Sequence, residues 1–183
     1  MVDPVVSFVL RFGLALLLSV SALHKSRDRA AFRAALEAYE LLPRAWSSAV
    51  SVLLPALELA IAVALLATPR GGFVAATVFA AYAGAMGINL ARGNRDLDCG
   101  CAGPAGRLPI SGALVVRNLI LVGLALLAAA PLAVRPLVWI DAVSIAAGVA
   151  ATALLYAGIE TALANTARLP SPAQWGRVRE GAV

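Results

Sequence analysis

Residues 45–67 read AWSSAVSVLLPALELAIAVALLA, from Ala45 to Ala67, and Glu58 is the only ionisable side chain in the run. As a helix rising 1.5 Å per residue the stretch covers roughly 35 Å, enough to cross a hydrocarbon core about 30 Å thick. Four further runs of the same character flank it, at about 5–23, 73–90, 113–134 and 137–164. Hydrophobic residues make up 61% of the chain and charged residues 14%, against roughly 45–50% and about 25% in a soluble domain. Mean hydropathy is +0.87. One water-soluble core cannot bury that much apolar side chain, so lipid is the solvent that fits.

The sequence therefore predicts an all-α integral membrane protein, a bundle of about five transmembrane helices forming one domain over 1–164, followed by a polar tail at 165–183. Between the first two spans, Ser26 to Leu42 places Ala31, Phe32, Ala35, Leu36, Tyr39 and Leu42 at spacings near three and four among charged residues. That pattern predicts a short amphipathic helix on the membrane surface. Thr68-Pro69-Arg70-Gly71-Gly72 reads as a tight turn, and Ala76, Ala80 and Gly84 as a small-residue face turned inward in the third span. The Cys-Gly-Cys loop occupies 92–112. The first run has no basic segment ahead of it and carries Arg11, so it is read as an uncleaved span rather than a signal peptide.

Fifteen Lys and Arg against ten Asp and Glu give a net charge of +5, dispersed between the apolar runs rather than gathered in a nucleic-acid-binding patch. With five spans, Lys25, Arg27, Arg29, Arg33, Arg44, Arg92, Arg95, Arg107, Arg168, Arg177 and Arg179 share the face of the cysteine loop. Only Arg70 and Arg135 lie opposite. The positive-inside rule assigns the cysteine face to the cytoplasm.

Cys99 and Cys101 are the only cysteines, separated by Gly100. Thiols this close can pair or exchange with a partner's disulfide, and a glycine between them supplies backbone freedom. Two other readings stand beside the redox pair: incidental or structural thiols, and a soft-metal clip. Two thiolates leave a zinc site half empty, and the single histidine, His24, is distant in sequence. Glu58 lies deep in its span, where a carboxylate costs roughly 2.5–3.5 kcal/mol and needs a partner. Counting residues puts Arg11 within about 5 Å of it in depth, with Tyr82 at a similar level. These three residues are read as a buried ion pair with a neighbour, or as a proton or small-molecule site. Arg117, Asn118, Asp141 and Glu160 sit near span boundaries and read as interfacial anchors. The sequence offers no phosphate-binding glycine loop and no Ser-His-Asp set.

Three segments taken together resemble the methylamine utilisation protein MauE family, related to the DoxX-like membrane proteins: Ser21-Ala22-Leu23-His24-Lys25 to Leu42-Pro43, Leu54-Pro55-Ala56-Leu57-Glu58-Leu59, and Asn89-Leu90 through Asp98-Cys99-Gly100-Cys101. The Asp-Cys-Gly-Cys loop is the sharpest element. The resemblance implies a four-helix core plus one further span in a bacterial inner membrane. It also implies work beside a periplasmic thioredoxin-like protein in maturing a disulfide-rich client, the small subunit of methylamine dehydrogenase, with Cys99 and Cys101 as the redox pair. It places the cysteine loop in the periplasm, against the charge count. Disulfides persist in that compartment, and the periplasmic side is the expectation adopted. The alternatives are a non-enzymatic assembly or export factor and a bundle binding quinone or another small molecule; no other cofactor or metal is expected.

Overall fold

The computed structural model describes residues 1–99 and 108–168, with side chains through residue 165. Among these residues six helices follow in order: α1 (Pro4–Arg27), α2 (Arg29–Ala38), α3 (Arg44–Ala67), α4 (Gly71–Ala91), α5 (Gly112–Ala128) and α6 (Trp139–Arg168). The described residues contain isolated bridges but no strand, and α1, α3, α4 and α6 are each long and apolar enough to cross a membrane. The outward surface is apolar: Leu53, Val63, Val116, Ile120 and Leu154 are all more than half exposed. In water that surface would aggregate, whereas in lipid it is solvated. The protein is a multi-pass membrane bundle.

Local chemistry sets the helix ends. Asp3 caps α1 by accepting a hydrogen bond from Val5 N at 2.8 Å, with Pro4 in the first turn. Asp28 closes α1 and opens α2, its side chain accepting from Ala31 N at 3.0 Å. The amphipathic segment expected over 26–42 is thus divided: its first residues complete α1, α2 covers the middle, and Glu40, at φ 50°, turns the chain towards α3. Phe32 is the residue α2 buries.

Three expectations need correction. The span expected over 113–134 ends at Ala128, because Pro131 can neither donate a helical hydrogen bond nor avoid the preceding turn. The chain then runs past the N-terminus, with Val2 N donating to Pro131 O and Ala133 N to Val2 O, both at 2.8 Å. Arg135 ties Asp3 to Asp141 there, fixing the start of α6. Secondly, Gly71 and Gly72 belong to α4 rather than to the turn. A Cβ on Gly71 would stand 2.5 Å from Ala64 C, and one on Gly72 would run into Ala125 O, so these glycines permit backbone contact with α3 and α5. Thirdly, Ala80 and Gly84 face outward. The inward face of α4 is Gly72, Ala75, Ala76, Phe79, Ala83, Met86 and Asn89, spaced by threes and fours.

Helices α1, α3, α4 and α5 enclose the main core, which contains Leu14, Leu18, Ile61, Leu65, Phe79 and Leu121. Helix α6 packs on the outside of α1, with Gly148 against Val9 and Thr152 near Gly13. A second cluster of Met86, Leu108, Ile110, Leu114 and Ala164 seals the end from which the cysteine loop emerges.

Candidate functional site

The cysteine loop leaves α4 in an ordered way. Gly93 adopts φ +84°, turning the chain after the last helical residue. Asn89, fully buried one turn earlier, donates from Nδ2 to Tyr39 O at 3.2 Å and accepts from Asn94 Nδ2 at 3.2 Å, so it joins the loop entry to the end of α2. Asp98 and Pro109 form an antiparallel bridge. Cys99 N donates to Leu108 O and Ile110 N to Leu97 O, each at 2.9 Å. Cys99 is half-buried and packs against the cluster of Met86, Leu108, Ile110, Leu114 and Ala164. Cys101, expected from the sequence to pair with it, lies outside the described residues, as do Gly100 and Arg107. Among the described residues no group of three His, Cys, Asp or Glu side chains is placed to hold a metal.

A second polar centre lies between α1, α3 and α4. Glu58 is 0% exposed and receives three donors on Oε1: Lys25 Nζ at 2.5 Å, Tyr82 OH at 2.6 Å and Ser21 Oγ at 3.1 Å. Lys25 also donates to Tyr82 OH at 3.2 Å and lies 4.7 Å from the Tyr82 ring centroid and 5.4 Å from that of Phe32. Glu58 Oε2 is buried with no hydrogen-bond partner among the described residues. The carboxylate is neutralised by one ammonium, while the aromatic faces give that ammonium a second source of attraction.

Arg11 does not take part. It donates from Nε to Leu65 O at 2.6 Å and from Nη2 to Leu66 O at 2.7 Å, capping the C-terminal carbonyls of α3. The depth count placed Arg11 and Glu58 together but ignored side-chain direction. Helical side chains lean towards their own N-terminus. On antiparallel α1 and α3, Arg11 leans towards the end of α3 and away from Glu58, while Lys25 and Glu58 lean towards each other. Sequence reasoning left Lys25 and Ser21 out of the site, although Lys25 carries a usable signal: Arg11, Leu14, Leu18, Ala22 and Lys25 recur by threes and fours on one buried stripe. The structure brings Glu58, Tyr82, Lys25 and Ser21 together and leaves Arg11 apart.

The boundary residues also make contacts within the bundle. Arg117 and Glu160 form an ion pair joining α5 to α6, with the Arg117 guanidinium 5.8 Å from the Tyr156 ring centroid. Asn118 is buried and donates to Leu114 O at 2.9 Å. Outside the spans, the hydrogen bond from Arg135 holds the Asp3 carboxyl below its ordinary range, and the bonds to Asp141 and then to Asp3 raise the Arg135 guanidinium.

A lipid-facing helical bundle with the Lys25–Glu58 pair sealed between its spans and a cysteine loop at one end defines a polytopic membrane protein with internal polar chemistry. The family model described as "Methylamine utilisation protein MauE" matches residues 3–131. A relative named methylamine utilization protein MauE from Paracoccus denitrificans is 38% identical over 129 residues, covering 69% of each chain. One of the same name from Methylophilus methylotrophus is 33% identical over 159 residues, 84% of each chain. The chain belongs to the MauE family. No solved structure matches it.

Proposed function

We propose that the chain is the membrane component of a thiol-disulfide exchange system serving methylamine utilisation, in a bacterial inner membrane with the cysteine loop on the periplasmic side. The observation that carries the reading is the anchoring of Cys99. The backbone bond from Cys99 N to Leu108 O, the neighbouring bond from Ile110 N to Leu97 O and a packed cluster hold Cys99, the start of the Cys99-Gly100-Cys101 segment, at the end of the bundle. The thiolate of one cysteine attacks a sulfur of a partner disulfide. A new S–S bond forms, the old one breaks, and the departing thiolate takes up the proton the attacking thiol gave away. The second cysteine then attacks the mixed disulfide, so this chain is oxidised by two electrons and the partner is reduced; the reverse sequence moves the electrons the other way. The partner proposed is a periplasmic thioredoxin-like protein, and the client a disulfide-rich exported protein such as the small subunit of methylamine dehydrogenase.

The test is replacement of Cys99 and Cys101 together by serine, with client maturation followed in cells and thiol labelling of the native chain by a membrane-impermeant maleimide. The reading expects loss of maturation with the bundle still inserted, and labelling in spheroplasts without inner-membrane breach. Normal maturation in the double-serine strain overturns it. Labelling only after the membrane is breached would place the loop in the cytoplasm.

A further inference from the structure

A groove of about 400 Å³ opens beside the cysteine bridge, with apolar lining from Leu108, Pro109, Ile110, Ala113 and Leu163 and polar lining from Arg95, Asp96 and Ser111. Leu108 and Ile110 are each 3% exposed and are held by the bonds to Cys99 N and from Ile110 N to Leu97 O, so this part of the lining is fixed. Another cavity of similar volume, between Phe12 and the α6 residues Ala142, Ile145, Ala146 and Val149, has only apolar lining residues and belongs to the lipid-facing surface. The charged side chains of Arg95 and Asp96 are exposed and set the first groove at the aqueous boundary, where an acyl chain would gain little. The groove also shares a wall with the thiol-bearing segment, because Leu108 is both a lining residue and the backbone partner of Cys99.

We propose that this groove binds the extended peptide segment flanking the reactive cysteine of a disulfide-bearing protein, taking an apolar side chain next to that cysteine. The proposal rests on the thiol-disulfide reading and gives it a specificity site. Exchange needs the attacking, central and leaving sulfurs in line, so the residues beside the partner's cysteine must lie against the surface around Cys99. The groove beside it combines apolar Leu108, Pro109, Ile110 and Leu163 with charged Arg95 and Asp96, the composition of a small protein-recognition patch. An extended strand advances about 3.3 Å per residue and turns alternate side chains to one face, so one residue close to the partner's cysteine seats in the groove while its neighbour stays in water.

The experiment uses the full-length protein in lipid vesicles, pre-reduced, with three probes activated as mixed disulfides with thionitrobenzoate: cysteine alone, Gly-Gly-Cys-Gly-Gly and Gly-Leu-Cys-Leu-Gly. Attack on the peptide sulfur forms the protein–peptide disulfide and releases coloured thionitrobenzoate, one disulfide replacing another. The wild type reacts with the leucine probe about tenfold faster than with the glycine probe, roughly the worth of seating one apolar side chain. Ala113→Phe, at an exposed position that tolerates a larger side chain, fills the groove and removes that preference while leaving the cysteine probe unchanged. Equal rates for the leucine and glycine probes in the wild type overturn the proposal, as does equal slowing of all three probes in Ala113→Phe. If no probe reacts, even cysteine alone, the thiol-disulfide reading fails and the groove proposal with it.

Discussion

Removing one partner of the Lys25–Glu58 pair will not cost the same from each side. Lys25→Met leaves a carboxylate that is 0% exposed with only the Tyr82 and Ser21 hydroxyls, and stranding a buried charge costs about 3–5 kcal/mol. Glu58→Gln keeps an acceptor oxygen for Tyr82 and leaves Lys25 over two aromatic rings, a setting worth about 0.5–2 kcal/mol to an ammonium, so its cost is smaller, about 1–3 kcal/mol. The double variant carries no buried charge at this site and is more stable than the sum of the two losses implies, with a coupling of about 1–3 kcal/mol. Arg11→Met gives the contrast. It removes the cap on Leu65 O and Leu66 O, costs about 1–3 kcal/mol, and adds to Glu58→Gln without coupling. Reversible unfolding in mixed detergent micelles, followed by tryptophan fluorescence, measures the wild type and the five variants: three single changes and the two doubles with Glu58→Gln. Additive losses for Lys25→Met with Glu58→Gln, or strong coupling of Arg11→Met with Glu58→Gln, would refute the assignment of partners.

Three more outcomes follow from local geometry. Gly71→Ala should destabilise by about 1–3 kcal/mol through the clash with the α3 backbone, while Gly84→Ala, with open space around it, should be neutral or slightly stabilising in the same melts. Asn89→Leu removes the tie between α2 and the loop entry; hydrogen exchange should accelerate over residues 39–42 and 94–99 while α6 stays unchanged. The Ser47 hydroxyl, and then Arg33, hold the Glu37 carboxyl below its ordinary value of 4.5, so this link contributes fully above that pH and is lost as pH falls through the lower folded value. Exchange protection of α2 should drop on acidification in the wild type and change less in Glu37→Gln.

The membrane spans were legible because lipid demands long apolar runs and the sequence supplies them with few interruptions. Their ends were less so. Counting apolar residues carried the fourth span past Pro131, whose missing N–H ends the helix for a local reason that hydropathy does not weigh. The glycine pair after Arg70 looked like turn chemistry, yet its use is close backbone approach, which depends on where α3 and α5 lie. Glu58 stood out at once as a buried carboxylate and Tyr82 as a neighbour. Its cation was misassigned because depth is a property of Cα positions and pairing is a property of side-chain directions. Lys25 was read as a loop charge, although its place on the Arg11–Ala22 stripe marks it as inward-facing. The cysteine pair shows in its spacing and in the family resemblance, but the bridge that anchors Cys99 forms with Leu108–Ile110, too far along the chain for local pattern to show it.

The central claim is that the two thiols are the working part of the molecule, and covalent trapping tests it most directly. An exchange reaction passes through a mixed disulfide that the second cysteine resolves, so a chain keeping only the attacking cysteine stalls at that step. Cells expressing Cys99→Ser or Cys101→Ser, quenched with acid and alkylated, would be resolved on non-reducing gels. The account predicts that one of the two variants accumulates a reductant-sensitive adduct with a periplasmic thioredoxin-like protein, while the double-serine chain gives none. Absence of an adduct from both single variants, with client maturation intact in the double-serine strain, would contradict it.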